Sequence, residues 1–321
     1  MSMNRVTVYF SGEEGWVQNL GDALVPHLLE RLGVRCVARE VSDSTVLNPG
    51  RCLLVIGSLL TSSDLRRIEG PIDVWGCGWK GIEAWEGFDA SRIRFHAVRG
   101  PLTAAGVHPD GVLALGDPAL LLPHIYPATR APHGRTVLLQ HLDRVSSPAA
   151  RQQARAAGCD EVRSPYVYGM GQLRTILRTR PGQLLYDLRR WAALRPDGVL
   201  RFWDTIDRLA GASFVLTGSL HGAIMAQAYG VPWAAFDDGC IDSPTKWRDW
   251  AAYLGVSIAF VPSLAAGRTW WADEGHRGRI RDLAPLVAAF PYLDRCPPAQ
   301  GLLASLRAGA GRGAETRVTQ D

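Results

Sequence analysis

The sequence predicts an α/β protein of two units, and three observations carry that expectation: its length, a recurring pattern of short apolar runs, and a proline-rich break near its middle. At 321 residues the chain is longer than one hydrophobic core comfortably fills, so two domains of ordinary size are expected. Runs rich in Val, Leu and Ile recur at 6–10, 52–56, 72–75 and 94–98, and again at 136–140, 213–217 and 232–236, separated by segments of helical period. That is the rhythm of parallel sheets covered by helices. The stretch 122–134 carries three prolines and no periodicity, as a linker does. The expected boundaries are therefore 1–128 for the first Rossmann-like unit, 129–295 for the second, and 296–321 for a mobile tail of Gly, Arg, Ala and polar residues.

The first unit opens with the alternating strand Val6–Phe10 and continues into a helix over 23–33. There Leu24, Leu28, Leu29 and Leu32 share a face, and Gly33 stops the pattern. The second unit restarts with the strand Thr136–Gln140 and a helix from Pro148 to Gly158. A helical insertion over 171–195 then interrupts the alternation; its arginines suit either water or acidic glycan and membrane phosphates.

Composition narrows the function classes. Hydrophobic residues at 47% and charged residues at 21% exclude a disordered or collagen-like chain. The net charge of +4 is spread along the sequence, which fits a small anionic substrate better than nucleic acid. The six cysteines stand far apart with no Cys-x-x-Cys spacing, so buried free thiols are expected rather than a zinc site or a disulfide framework. Neither a signal peptide nor an apolar run long enough to cross a bilayer is visible, which predicts a cytoplasmic protein, with peripheral association at the inner face of the membrane left open.

Four segments place small and polar residues at strand ends, where open α/β sheets bind ligands. Asn19-Leu20-Gly21-Asp22 precedes a helix, and Asp22 suits either capping of that helix or contact with a sugar hydroxyl. Arg99-Gly100-Pro101 puts a permanent cation at a strand end, for an anion or for a salt bridge across the domain. Gly116-Asp117-Pro118 reads as a turn with Asp117 exposed at its tip, held by an Asx hydrogen bond or free for a ligand. Thr217-Gly218-Ser219-Leu220-His221-Gly222-Ala223-Ile224 sets His221 in a strand-to-helix turn, with Gly218 and Gly222 expected to leave room for a ligand. The imidazole is either structural or a proton carrier at cellular pH. The many tryptophans fit packing; Trp79 and Trp85, beside Gly76-Cys77-Gly78, are the best candidates for stacking on a sugar.

In this order the four segments, followed by Gly230-Val231-Pro232 and Lys246-Trp247-Arg248-Asp249, resemble the polysaccharide pyruvyl transferase family, most of all the bacterial exopolysaccharide ketal type. The resemblance implies two Rossmann-like domains about a central cleft, similar to GT-B glycosyltransferases. It implies transfer of pyruvate from phosphoenolpyruvate, as co-substrate and with no other cofactor or metal, to two hydroxyls of a glycan carried on a lipid-linked oligosaccharide. Carried onto this chain, His221 becomes the general acid. Arg99, Ser219, Leu220, Gly222, Lys246 and Arg248 bind the donor, and Asn19, Gly21, Asp22, Asp117 and Trp79 face the acceptor. Ser219 stands where many family members have Arg, and Lys246 or Arg248 is expected to replace that cation. Two other readings stay open: a GT-B-type glycosyltransferase using a nucleotide sugar, for which only Asp237 and Asp238 offer an acidic contact, and a non-catalytic glycan- or anion-binding homologue.

Overall fold

The structure is a computed structural model describing residues 4–9, 17–38, 50–66, 68–81, 90–107, 112–128, 132–141, 144, 147–168, 200–239 and 241–318. The insertion expected over 171–195 and Trp85 lie outside the described residues.

The first half carries β1 (Asn4–Tyr9), β2 (Val17–Asn19), α1 (Leu20–Arg31), β3 (Val34–Ala38), β4 (Cys52–Leu54), α2 (Ser62–Leu65), β5 (Ile72–Trp75), β6 (Ile93–Val98), α3 (Pro101–Val107), β7 (Ala114–Leu115), a 3-10 turn at Pro118–Leu121 and α4 (Leu122–Ile125). Helix α1 forms because Leu24, Leu28 and Leu29 recur at helical spacing and are buried, while Asn19 caps its start by accepting from Gly21 N at 3.3 Å. Six strands form a parallel sheet in the order β3-β1-β4-β5-β6-β7. A bulge between Val74 and Trp75 shifts the β5–β6 register, and such irregularities re-aim side chains at strand ends.

The second half carries β8 (Thr136–Leu139), α5 (Pro148–Ala156), β9 (Glu161–Arg163), β10 (Tyr166–Tyr168), β11 (Leu200–Arg201), α6 (Phe202–Ala210), β12 (Phe214–Thr217), α7 (Leu220–Ala228), β13 (Trp233–Phe236), α8 (Pro244–Leu254), β14 (Phe260–Val261), α9 (Leu264–Asp273), α10 (Ala284–Ala288) and α11 (Pro297–Val318). Its parallel sheet runs β14-β13-β12-β8-β9. Each sheet begins on an interior strand, winds outward on one side and then crosses to the other. The direction of winding changes between β1 and β4 in one sheet and between β8 and β12 in the other, the places where such sheets open a crevice.

The two halves are interlocked. β2 leaves the first sheet and pairs antiparallel with β10, Asn19 opposite Tyr166, in a small β11-β10-β2 sheet. The start of α1 is thus fixed to the second half, with Leu20 N donating to Pro165 O at 2.8 Å. At the other end of the chain, residues expected within the second unit and a mobile tail pack on the first sheet. Trp75 Nε1 donates to Leu286 O at 2.8 Å, and its ring lies 4.7 Å from that of Phe290. α11 is helical over 297–318, with Ala299 and Leu303 buried. Helix-forming Ala, Leu and Arg outweigh the scattered glycines there. One continuous apolar cluster spans both sheets and includes Trp75, Trp233, Trp247 and Trp250. Cys52, Cys77 and Cys296 are buried free thiols, and Cys159 is a half-buried one. Among the described residues no helix is long and apolar enough to cross a membrane.

Gly222 lies where α7 rests on the sheet: a Cβ there would stand 2.6 Å from Thr217 Oγ1 and 2.7 Å from Leu139 Cδ2. Gly222→Ala is expected to destabilise the protein by about 1–3 kcal/mol through overpacking, read as a lower denaturant midpoint at unchanged slope.

Candidate active site

The site is built around the way α3 begins. Gly100, just before that helix, has no side chain to cap it, and Pro101 has no N–H to offer. The first free amides, Leu102 N and Thr103 N, donate instead to Oδ1 of Asp249 on α8 at 2.9 and 3.0 Å. Oδ2 of the same carboxylate accepts from Thr103 Oγ1 at 2.7 Å and from Arg99 Nε at 3.2 Å. A Cβ on Gly100 would lie 2.4 Å from Asp249 Oδ1, so glycine is what lets the carboxylate in. Arg99 is fully buried: Nη1 donates to Ser58 Oγ at 3.0 Å and Nη2 reaches Trp79 O at 3.5 Å, with Gly78 directly against the guanidinium. The salt-bridge role for Arg99 is therefore realised; what it gives the site beyond that is a fixed positive charge.

His221 is the second residue of α7. Thr217 Oγ1 shapes the turn before it, accepting from Ser219 N at 2.9 Å and donating to Ser219 O at 3.0 Å, while the Ser219 side chain makes no capping bond. The imidazole crosses to the first half. A Cβ on Gly21 would stand 2.3 Å from Nδ1, and Nε2 faces Asp117 Oδ2 at 3.8 Å. Only 12% of the His221 side chain is exposed. Burial, then the positive charges of Arg99 and Lys246, push its pKa down to about 3, so the empty site holds neutral imidazole.

Asp117 is not exposed at a turn tip as expected but wholly buried, because α7 packs over the 3-10 turn that Asp117 starts. Its Oδ1 accepts from Ala119 N at 2.9 Å, and burial pushes its carboxyl up to about 6 against that hydrogen bond and Arg99. Asp22 is buried in the first turn of α1; the cap is Asn19, and burial raises Asp22 to about 7 against its bond to Asn19.

On α8, Lys246 turns inward and pairs with the Asp242 carboxylate, which also lies 3.6 Å from His141 Nε2. Burial lowers the Lys246 pKa, and Asp242 opposes that shift. Arg248, about 200° further round the helix, is exposed and does not face the site. Leu220 is buried in the core. The room expected beside the turn glycines is filled by protein: Gly222 by Thr217 and Leu139, and Gly218 by His141, whose N would lie 3.0 Å from a Cβ there. The Trp79 indole lies against Gly106 of α3 rather than standing open.

The structure thus brings together Gly21, Arg99, Asp117, His221 and Lys246 from both halves, with Asp22 next to Gly21 in α1. Sequence reasoning missed Ser58, His141, Asp242 and the hub role of Asp249. For Asp249 a signal existed, since Lys246, Asp249, Trp250 and Tyr253 recur on one face of α8 and all are buried. Among the described residues no three His, Cys, Asp or Glu side chains are grouped to hold a metal ion. A neutral imidazole beside a buried carboxylate, in the field of two fixed cations, suits proton transfer to a bound anion.

The profile of the polysaccharide pyruvyl transferase family matches residues 19–238, from Asn19 past His221 to Asp238. The succinoglycan biosynthesis protein ExoV of Rhizobium meliloti (strain 1021) is 25% identical over 178 residues, which cover 53% of this chain and 43% of that protein. A crystal structure of a functionally uncharacterized protein from Klebsiella pneumoniae subsp. pneumoniae NTUH-K2044 aligns with a TM-score of 0.45 at 13% identity, covering 81% of this chain and 93% of that one. The chain belongs to the polysaccharide pyruvyl transferase family.

Proposed function

We propose that this protein transfers the pyruvyl group of phosphoenolpyruvate to two hydroxyls of one sugar in an exopolysaccharide or other cell-surface glycan, closing a cyclic ketal. The observation that carries this reading is His221 held in the field of Arg99 and Lys246, both of which act on its pKa. Burial first, and then those charges, keep the empty imidazole neutral. A donor bearing phosphate and carboxylate cancels them, so its arrival lets His221 hold the proton that the enol needs. Lys246 and the start of α7 receive the phosphate, and the buried Arg99 supports it from behind. Lys246 thereby stands in for the arginine replaced by Ser219.

In the reaction His221 gives its proton to the methylene carbon, which becomes a methyl group and leaves C2 electrophilic. One sugar hydroxyl adds to C2, and its proton returns to the imidazole. Phosphate leaves, the second hydroxyl closes the ring, and its proton departs with the phosphate. Asp22, whose carboxyl burial raises to about 7, faces the acceptor side with Asn19 and Gly21. The acceptor is a lipid-linked oligosaccharide at the inner face of the membrane.

Full engagement of Arg99 by Asp249 and Ser58 favours a second reading, an anion-binding homologue without turnover. Incubation with phosphoenolpyruvate and lipid-linked acceptors separates the two. Release of phosphate with acid-labile pyruvate on the glycan supports transfer; phosphoenolpyruvate bound with no phosphate released supports the binding homologue, and turnover of a nucleotide sugar with no phosphate released rejects both.

Three outcomes are expected. His221→Ala abolishes transfer while circular dichroism stays native. Gly21→Ala, which drives a methyl into the imidazole, lowers kcat by about a hundredfold, and a rate close to that of the parent would remove the Gly21 contact from the mechanism. For Asp22, the folded carboxyl titrates near 7 against 3.8 as its ordinary value. Its ionisation therefore opposes folding increasingly as pH rises between those values. Asp22→Asn is expected to gain melting temperature over the parent across that interval and to level off above it; a pH-independent difference would contradict the assignment.

A further inference from the structure

We propose that Asp117 is the positioning residue of His221: its buried Oδ2 accepts the Nε2–H of the imidazole and fixes the tautomer, leaving Nδ1, on the Gly21 side, to exchange the proton with the donor.

Oδ2 of Asp117 and Nε2 of His221 are both buried without any hydrogen-bond partner, and they face each other at 3.8 Å. Two such atoms in one dry pocket satisfy each other on closing by about 1 Å, and catalytic pairs are commonly long before substrate arrives. The carboxylate cannot turn away, because Oδ1 is engaged by Ala119 N. The imidazole cannot either, because its Nδ1 edge lies on Gly21. A neutral imidazole donates through one nitrogen only, so a carboxylate at Nε2 selects the Nε2–H form.

The charged and titratable groups that act on the pair come from several packed elements: Arg99 after β6, Lys246, Asp249 and Tyr253 on α8, and Cys77 after β5. Arg99 and Lys246 oppose a second proton on the imidazole. Once a donor anion offsets them, both nitrogens are protonated. Nδ1 then gives its proton to the enol methylene carbon, Nε2–H remains on Asp117, and the proton from the attacking hydroxyl returns to Nδ1. The net proton count of the pair is unchanged.

The tautomer stands on geometry alone, while the role of Nδ1 rests on the pyruvyl-transfer reading. The full chain is labelled with 15N-histidine, and His221 is picked out of the eight histidines by its loss in His221→Gln. At pH 8 the two-bond 1H–15N spectrum of the parent protein is expected to show His221 as Nε2–H. In Asp117→Asn the carboxamide can donate toward Nε2, and the proton is expected to move to Nδ1. There kcat falls by about a hundredfold, with KM for phosphoenolpyruvate within about threefold. A merely structural Asp117 would lower stability and leave the tautomer in place. An Nδ1–H form in the parent protein overturns the proposal, and that spectrum decides alone if the variant fails to fold. A parent tautomer retained in a folded Asp117→Asn also overturns it. Absence of any turnover with phosphoenolpyruvate counts against the proposed function, and the spectra still decide the pairing.

Discussion

A single carboxylate holds the two halves in the relation that the site needs. Asp249 comes from the helix after β13, yet it supplies the cap that α3 of the other half lacks, and it takes the Arg99 Nε in the same grip. A negative charge at a helix N-terminus is favourable in itself, and here it is dry, so its four donors are held in fixed directions. The guanidinium that results lies against Gly78 and contributes its charge to Asp117 and His221. Without that clamp the imidazole would lose much of the field that sets its protonation.

The site is also balanced by desolvation acting in opposite senses. Burial drives Asp22 and Asp117 toward their neutral acids and His221 toward its neutral base. The cations that act on the imidazole are Arg99 and Lys246, each tied to an aspartate.

Much of the architecture was legible because buried parallel strands must be apolar and β-branched: the runs at 6–10, 52–56, 72–75, 94–98, 136–140, 213–217 and 232–236 all overlap strands. β2, β10 and β11 were not, since two or three residues are too short to display a period. The place of His221 in a strand-to-helix turn was legible, whereas the burial of Asp117 beside it was not, because Asp117 lies about a hundred residues earlier in sequence and is covered only when α7 packs over it. Gly218 and Gly222 were recognised but misread: they admit neighbouring protein, and only the distances to His141, Thr217 and Leu139 reveal it.

The return of the chain to its starting half has a consequence for how the protein is made. Trp75 and Gly116 of the first sheet are covered by Leu286 and Phe290, and Gly33 by Pro298. During synthesis, which delivers the N-terminal residues first, that sheet must wait with part of its core uncovered until about nine-tenths of the sequence has emerged. Contacts of such long range close slowly. The last helices therefore act as the latch that closes the core of the first half.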